Sequence, residues 1–171
     1  MDGRKEHAEI ERKYLIRYPD IAALEAMPGC EVWGIRQTYL TSIRGSMRRV
    51  RQIVCNGETR YVFTEKRGLT DMARVEMERE LTKEQYEMML EEADKSRKPL
   101  QKVRFRIPNG KQVCEIDVYP FWKKQAVLEI ELESEDEEAM IPEWISLIRE
   151  VTGEEMYSNS ALAKNCPAEE E

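Results

Sequence analysis

The chain has little from which the commoner catalytic centres are built. Its 171 residues hold one histidine, His7, and four cysteines, Cys30, Cys55, Cys114 and Cys166, with no C-x-x-C pair. That spacing argues against a zinc centre and a disulfide framework, and points to reduced thiols in a cytoplasmic protein. A glycine-rich loop of the Walker type is missing, so any phosphate has to be gripped by side chains. No run approaches the roughly 20 apolar residues of a membrane span, and "MDGRKEHAE" lacks the apolar stretch of a leader, so no membrane partner is expected. Positive charge is not in excess either: 27 Lys and Arg face 34 Asp and Glu, a formal net charge of −7. The global field therefore draws in no nucleic-acid polymer, and any anion site must be local.

What is present is charge in quantity beside enough hydrocarbon for a core, 36% charged against 41% hydrophobic residues. This composition fits one globular domain over 1–171, with 1–7 and 166–171 as flexible tails. Apolar and polar residues alternate in 9–16, 34–43, 46–54, 59–67, 73–82, 100–108, 112–120 and 126–134, which predicts eight strands. Asn56-Gly57 and Pro108-Asn109-Gly110 mark tight turns between neighbours, so antiparallel hairpins are expected. Helices are fewer: one capped by Asp20, one opened by the Thr82/Gln85 capping box, and one opened by Ser134 and Glu137 and broken or kinked at Pro142.

The strand faces carry the functional signal. Successive strand residues point to opposite faces, so "EIERKYLI" places Glu9, Glu11 and Lys13 together. The same parity groups Arg49 with Arg51, Thr64 with Lys66, Glu76 with Glu78, Lys102 with Arg104 and Arg106, Glu115 with Asp117, and Glu129 with Glu131 and Glu133. A single charged face is ordinary solvation; like charges segregated strand by strand repel unless something of opposite sign lies between them. Closing about eight strands makes a barrel whose interior holds side chains or one small ligand. The expected fold is thus α+β, a closed eight-stranded antiparallel barrel with charged faces inward and helices packed outside. Bases there suit phosphate oxygens, and clustered carboxylates suit one or two Mg²⁺ or Mn²⁺ ions that bridge to them.

At this point the chain resembles the CYTH, or triphosphate tunnel metalloenzyme, superfamily, in particular its bacterial tripolyphosphatase-like branch. The Glu-x-Glu-x-Lys signature is matched by Glu9, Glu11 and Lys13. "RVR" (49–51), "TEK" (64–66), "VEMERE" (75–80), "KVRFR" (102–106), "EIDVY" (115–119) and "EIELES" (129–134) follow in the family's order. The resemblance implies a charged tunnel and metal-dependent hydrolysis of a small triphosphate, most simply inorganic tripolyphosphate to pyrophosphate and phosphate. Lys13, Arg49, Arg51, Lys66, Lys102, Arg104 and Arg106 would then grip the substrate. Glu9, Glu11, Asp117, Glu129 and Glu131 would hold the metal, with Glu76, Glu78, Glu115 and Glu133 as further tunnel acids. Lys66, Glu11 and Arg51 would act in the chemical step. Rival readings on this scaffold are an adenylate cyclase, a nucleoside or thiamine triphosphatase, and a non-catalytic polyphosphate-binding module.

Overall fold

The structure, a computed structural model, describes residues 5–68 and 72–170, and side chains from Ala8 onward. Nine strands follow the chain: β1 (Lys5–Arg17), β2 (Glu31–Ile43), β3 (Ser46–Cys55), β4 (Glu58–Gly68), β5 (Ala73–Leu81), β6 (Leu100–Asn109), β7 (Gln112–Val118), β8 (Gln125–Leu132) and β9 (Leu147–Glu150). The helices are short: α1 (Ile21–Glu25), α2 (Lys83–Met89) and α3 (Asn159–Leu162). The sheet order β5-β4-β3-β2-β6-β7-β8-β1 closes on itself through β5 and β1, giving an eight-stranded antiparallel barrel with β9 added beside β1. The hairpin turns explain the antiparallel order. Asn56 and Gly57 take φ of 52° and 78°, the left-handed pair whose twist matches that of the flanking strands.

Closure depends on the length of β1. Along one edge its first half pairs with β5, Glu9 opposite Arg74, and its second half with β9, Tyr14 opposite Glu150. Its other edge pairs with β8 from Ile10 to Arg17. Where the edge changes partner, the Lys13 amide donates to Thr152 Oγ1 at 2.9 Å in place of a strand carbonyl.

Outward-facing hydrocarbon is covered as the alternation requires. Tyr86, Met89 and Leu90, from α2 and the 3₁₀ turn after it, cover Leu40, Val50 and Phe63. The capping box is formed, Thr82 Oγ1 accepting from the Gln85 amide and Gln85 Oε1 from the Thr82 amide. Leu24 of α1 and the partly buried Ala139, Ile141 and Ile145 cover Phe105, Ile116, Leu128 and Ile130.

One expectation needs correction. The stretch opened by Ser134 and Glu137 is not a helix; 133–146 runs as an irregular cover and ends in β9. Pro142 lacks an amide proton and disfavours helix in the residue before it, while the open second half of β1 offers hydrogen bonds to a strand. The carboxy-terminal residues make contacts with the barrel: Trp122 Nε1 donates to Pro167 O, Glu169 accepts from the amides of Lys123 and Lys124, and Glu170 pairs with Arg149. Of the amino-terminal tail, 1–4 lie outside the described residues and 5–7 already belong to β1.

Candidate active site

Inside the barrel, side chains form rungs across neighbouring strands. One rung runs Glu31, Arg106, Glu115, Glu129, Lys13 through β2, β6, β7, β8 and β1. On the far wall Tyr39, Arg49, Thr64 and Glu78 make a second, and Met47, Lys66 and Glu76 a third. The same inward faces turn apolar at one end. There Leu15, Tyr39, Leu100, Tyr119 and Val127 pack with Trp122, Val151, Tyr157 and Leu162 into a plug. What remains is a cavity of about 640 Å³ whose described lining carries eight basic and eight acidic side chains.

Most of these charges are paired with one another. Lys66 Nζ lies 2.8 Å from Glu9 and 3.3 Å from Glu76; Lys13 is 3.4 Å from Glu129; Arg51 is 3.3 Å from Glu78. Burial and Arg49 oppose the charge on Lys66, but Glu9, Glu11 and Glu76 outweigh them and raise its pKa, so it stays protonated. Burial would raise Glu129, but Lys13, Arg104, Lys102 and Lys66 hold its carboxyl well below the usual range.

Two corners are left electrostatically frustrated. In the basic corner, Arg49 and Arg51 are buried with their Nε groups unbonded; burial together with the charges of Arg49 and Arg104 pushes Arg51 down to about 9, whereas on Arg49 burial is outweighed by Tyr39, Glu76 and Glu9, which raise it. A buried guanidinium nitrogen without an acceptor is costly, so these two Nε groups suit an anion. In the acidic corner, Glu11 of β1 faces Glu131 of β8 directly, and burial, then Glu129 and Glu9, push its carboxyl up to about 8. Like charges opposite one another destabilise a strand pair, and an all-oxygen donor set suits a hard divalent cation. As the side chains stand, no three described carboxylates form a ready metal cluster. Glu9 and Glu129 are turned instead to Lys66 and Lys13.

Of the residues expected in the site, Glu9, Glu11, Lys13, Arg49, Arg51, Lys66, Glu76, Glu78, Arg104, Arg106, Glu115, Glu129 and Glu131 line this cavity. Three do not. Lys102 and Asp117 face inward but lie beneath the lining, 2.7 Å apart with both side chains fully buried, and Asp117 also takes the Arg104 guanidinium at 2.7 and 3.0 Å. Glu133 follows the last residue of β8 and is exposed, because the chain has left the barrel there. The sequence reading passed over Arg60 and Arg74, although they share the inward parity of Lys66 and Glu76. Glu155, Ser158, Asn159 and Ser160 also line the cavity, from a segment without strand periodicity that offers no such signal.

A curated inorganic triphosphatase of Nitrosomonas europaea is 34% identical over 166 residues, covering 93% of this chain and 99% of that one. The chain belongs to the CYTH, or triphosphate tunnel metalloenzyme, superfamily. A crystal structure described as that of an inorganic triphosphatase matches over 94% of this chain and 97% of its own, with 29% identity and a TM-score of 0.57. A protein from Pyrococcus horikoshii, 18% identical over 75% of this chain and 80% of its own, shares the fold with a TM-score of 0.60. A putative adenylate cyclase from Bacillus halodurans does so at 18% identity, over 76% of this chain and 83% of its own, with a TM-score of 0.53. No family model matches the chain.

Proposed function

We propose that this CYTH protein is a metal-dependent triphosphatase that splits inorganic tripolyphosphate into pyrophosphate and phosphate. The observation that carries the reading is a single cavity in which the buried Nε groups of Arg49 and Arg51 lack acceptors while burial, Glu129 and Glu9 push the Glu11 carboxyl up. The sequence likeness to an inorganic triphosphatase supports it. Arg49, Arg51, Arg104 and Arg106 would grip phosphate oxygens, with Lys13 and Lys66 turning to them from Glu129 and Glu9. Those carboxylates, with Glu11 and Glu131, would take Mg²⁺ or Mn²⁺, so that the present ion pairs would give way to pairs with substrate and metal. A bound divalent ion supplies charge neutralisation at the transferred phosphoryl and an acidified water. The chain itself contributes placement and fixed charge, which is most of what phosphoryl transfer requires.

The test is phosphate release from tripolyphosphate, ATP, GTP, thiamine triphosphate and pyrophosphate, each with Mg²⁺ and with Mn²⁺. Tripolyphosphate should be turned over fastest, and EDTA should stop it. Tripolyphosphate with metal should also raise stability by about 2.7 kcal/mol at a hundredfold excess over Kd. Full activity in excess EDTA would remove the metal from the scheme.

We assign to Lys66 the role of meeting charge on a leaving oxygen, a reading supported by its being a compact ammonium between two acids, Glu9 and Glu76. Lys66→Ala should therefore lower kcat about ten- to a hundredfold with a smaller change in KM. Arg51→Ala should change both. Steady-state kinetics on tripolyphosphate separate these outcomes, and wild-type values for Lys66→Ala would exclude it from the chemistry.

A further inference from the structure

The cavity reaches the end of the barrel opposite the plug, and a group attached to a bound triphosphate can project through that mouth. Trp33 lies there, near the start of β2, partly buried against Ile35, Ile53 and Val62 and lining the cavity. Its indole is the large aromatic surface a nucleobase would stack on. That surface is taken: the Arg106 guanidinium lies over the ring at 4.8 Å and that of Arg60 at 5.5 Å. They approach from opposite flanks of β2, Arg106 from the adjoining β6 and Arg60 from β4, beyond β3. Both are anchored, Arg106 to Glu31 at 2.9 Å and Glu115 at 3.1 Å, Arg60 to Glu80 at 3.3 Å.

We infer that Arg60 and Arg106, by covering Trp33, form a specificity filter that admits a bare phosphate chain and denies a nucleobase its stacking platform. This rests on the triphosphatase reading and narrows its substrate class. A base entering the mouth must displace a guanidinium, losing a cation–π contact and breaking an ion pair, so the stacking it gains is offset. A bare chain needs no such rearrangement and finds two more cations at the mouth. Arg60 is the more easily removed cover, since it is half-exposed and has one acid partner.

The experiment compares kcat/KM for ATP and tripolyphosphate, both with Mg²⁺, in the wild type, Arg60→Ala and the double variant Arg60→Ala/Trp33→Leu. Loss of the Arg60 charge weakens both triphosphates, whereas an uncovered indole helps only ATP. Arg60→Ala should raise the ATP-to-tripolyphosphate ratio about tenfold, and Trp33→Leu in that background should cancel the rise. An unchanged ratio in Arg60→Ala, or a rise that survives loss of Trp33, overturns the inference. If the wild type turns over neither compound, the triphosphatase reading fails by itself. The filter is then read from the same ratio of affinities, measured by calorimetry without metal, where the same shift or its absence decides.

Discussion

Glu11→Gln is expected to cost at least about a hundredfold in kcat/KM for tripolyphosphate and at the same time to raise the melting temperature of the metal-free protein. The two effects share one cause. Glu11 faces Glu131 across the β1–β8 ladder, and burial with the charges of Glu129 and Glu9 pushes its carboxyl up to about 8. Its folded pKa therefore lies above its unfolded value of about 4.5. The corresponding stability is fully present below that value and is lost as the pH rises through about 8. Glutamine keeps the size and polarity of the side chain but carries no charge to confine. In EDTA the variant should gain at least about 1 kcal/mol over the wild type at pH 8, and little at pH 5. With Mg²⁺ and tripolyphosphate the order should reverse, because the wild type then has a cation for the acid corner. A variant less stable than the wild type in EDTA at pH 8 would remove the repulsion argument. Normal turnover would remove Glu11 from the site.

The barrel was legible in the sequence because one physical rule, the two-residue period, governs every strand of it. Charges of one sign at i and i+2 between hydrocarbon residues mark both the element and the face, so Glu9, Glu11, Arg49, Arg51 and Lys66 could be placed together before any fold was known. The rule fails where the backbone is not a strand. The plug residues Trp122 and Tyr157, and Glu155 and Ser158 at the cavity wall, come from turns and 3₁₀ segments and carry no period. It also misleads where two periods compete. Ile141, Ile145 and Ile148 read as a helical stripe, yet Pro142 and the open edge of β1 make that region irregular cover and then strand. Nor can parity report depth. Asp117 and Glu129 have the same pattern in sequence, but Glu129 lines the cavity and Asp117 lies beneath it.

That difference in depth leads to the largest expected loss of stability. Both Asp117 oxygens are occupied, Oδ1 by Arg104 Nε at 2.7 Å, Oδ2 by Arg104 Nη2 at 3.0 Å and by Lys102 Nζ at 2.7 Å. Burial pulls the Asp117 carboxyl up, but Arg104 and Lys102 outweigh it and hold the pKa below its ordinary value. Lys102, sharing this one acid with a second cation, is pushed down to about 7 by burial, with Arg104 adding to the fall and Asp117 opposing it. We propose that Asp117 anchors the wall and aims Arg104 into the cavity, in place of the metal-ligand role that its sequence pattern suggests. Asp117→Asn removes the carboxylate that takes Arg104 on both oxygens and opposes loss of the Lys102 proton, a loss of about 3–5 kcal/mol and about 10 °C in melting temperature for a chain of this size. Because the folded pKa is depressed, the wild type's advantage over this variant is present above about pH 4 and disappears as the pH falls through the still lower folded value. The measurement that separates anchor from ligand is the Mg²⁺ concentration for half-maximal rate, taken at a temperature where both proteins remain folded. With Asp117 as an anchor, KM for tripolyphosphate rises as Arg104 loses its aim, and the Mg²⁺ requirement stays near that of the wild type. A metal requirement raised tenfold or more, with melting temperature unchanged, would restore Asp117 to the metal site.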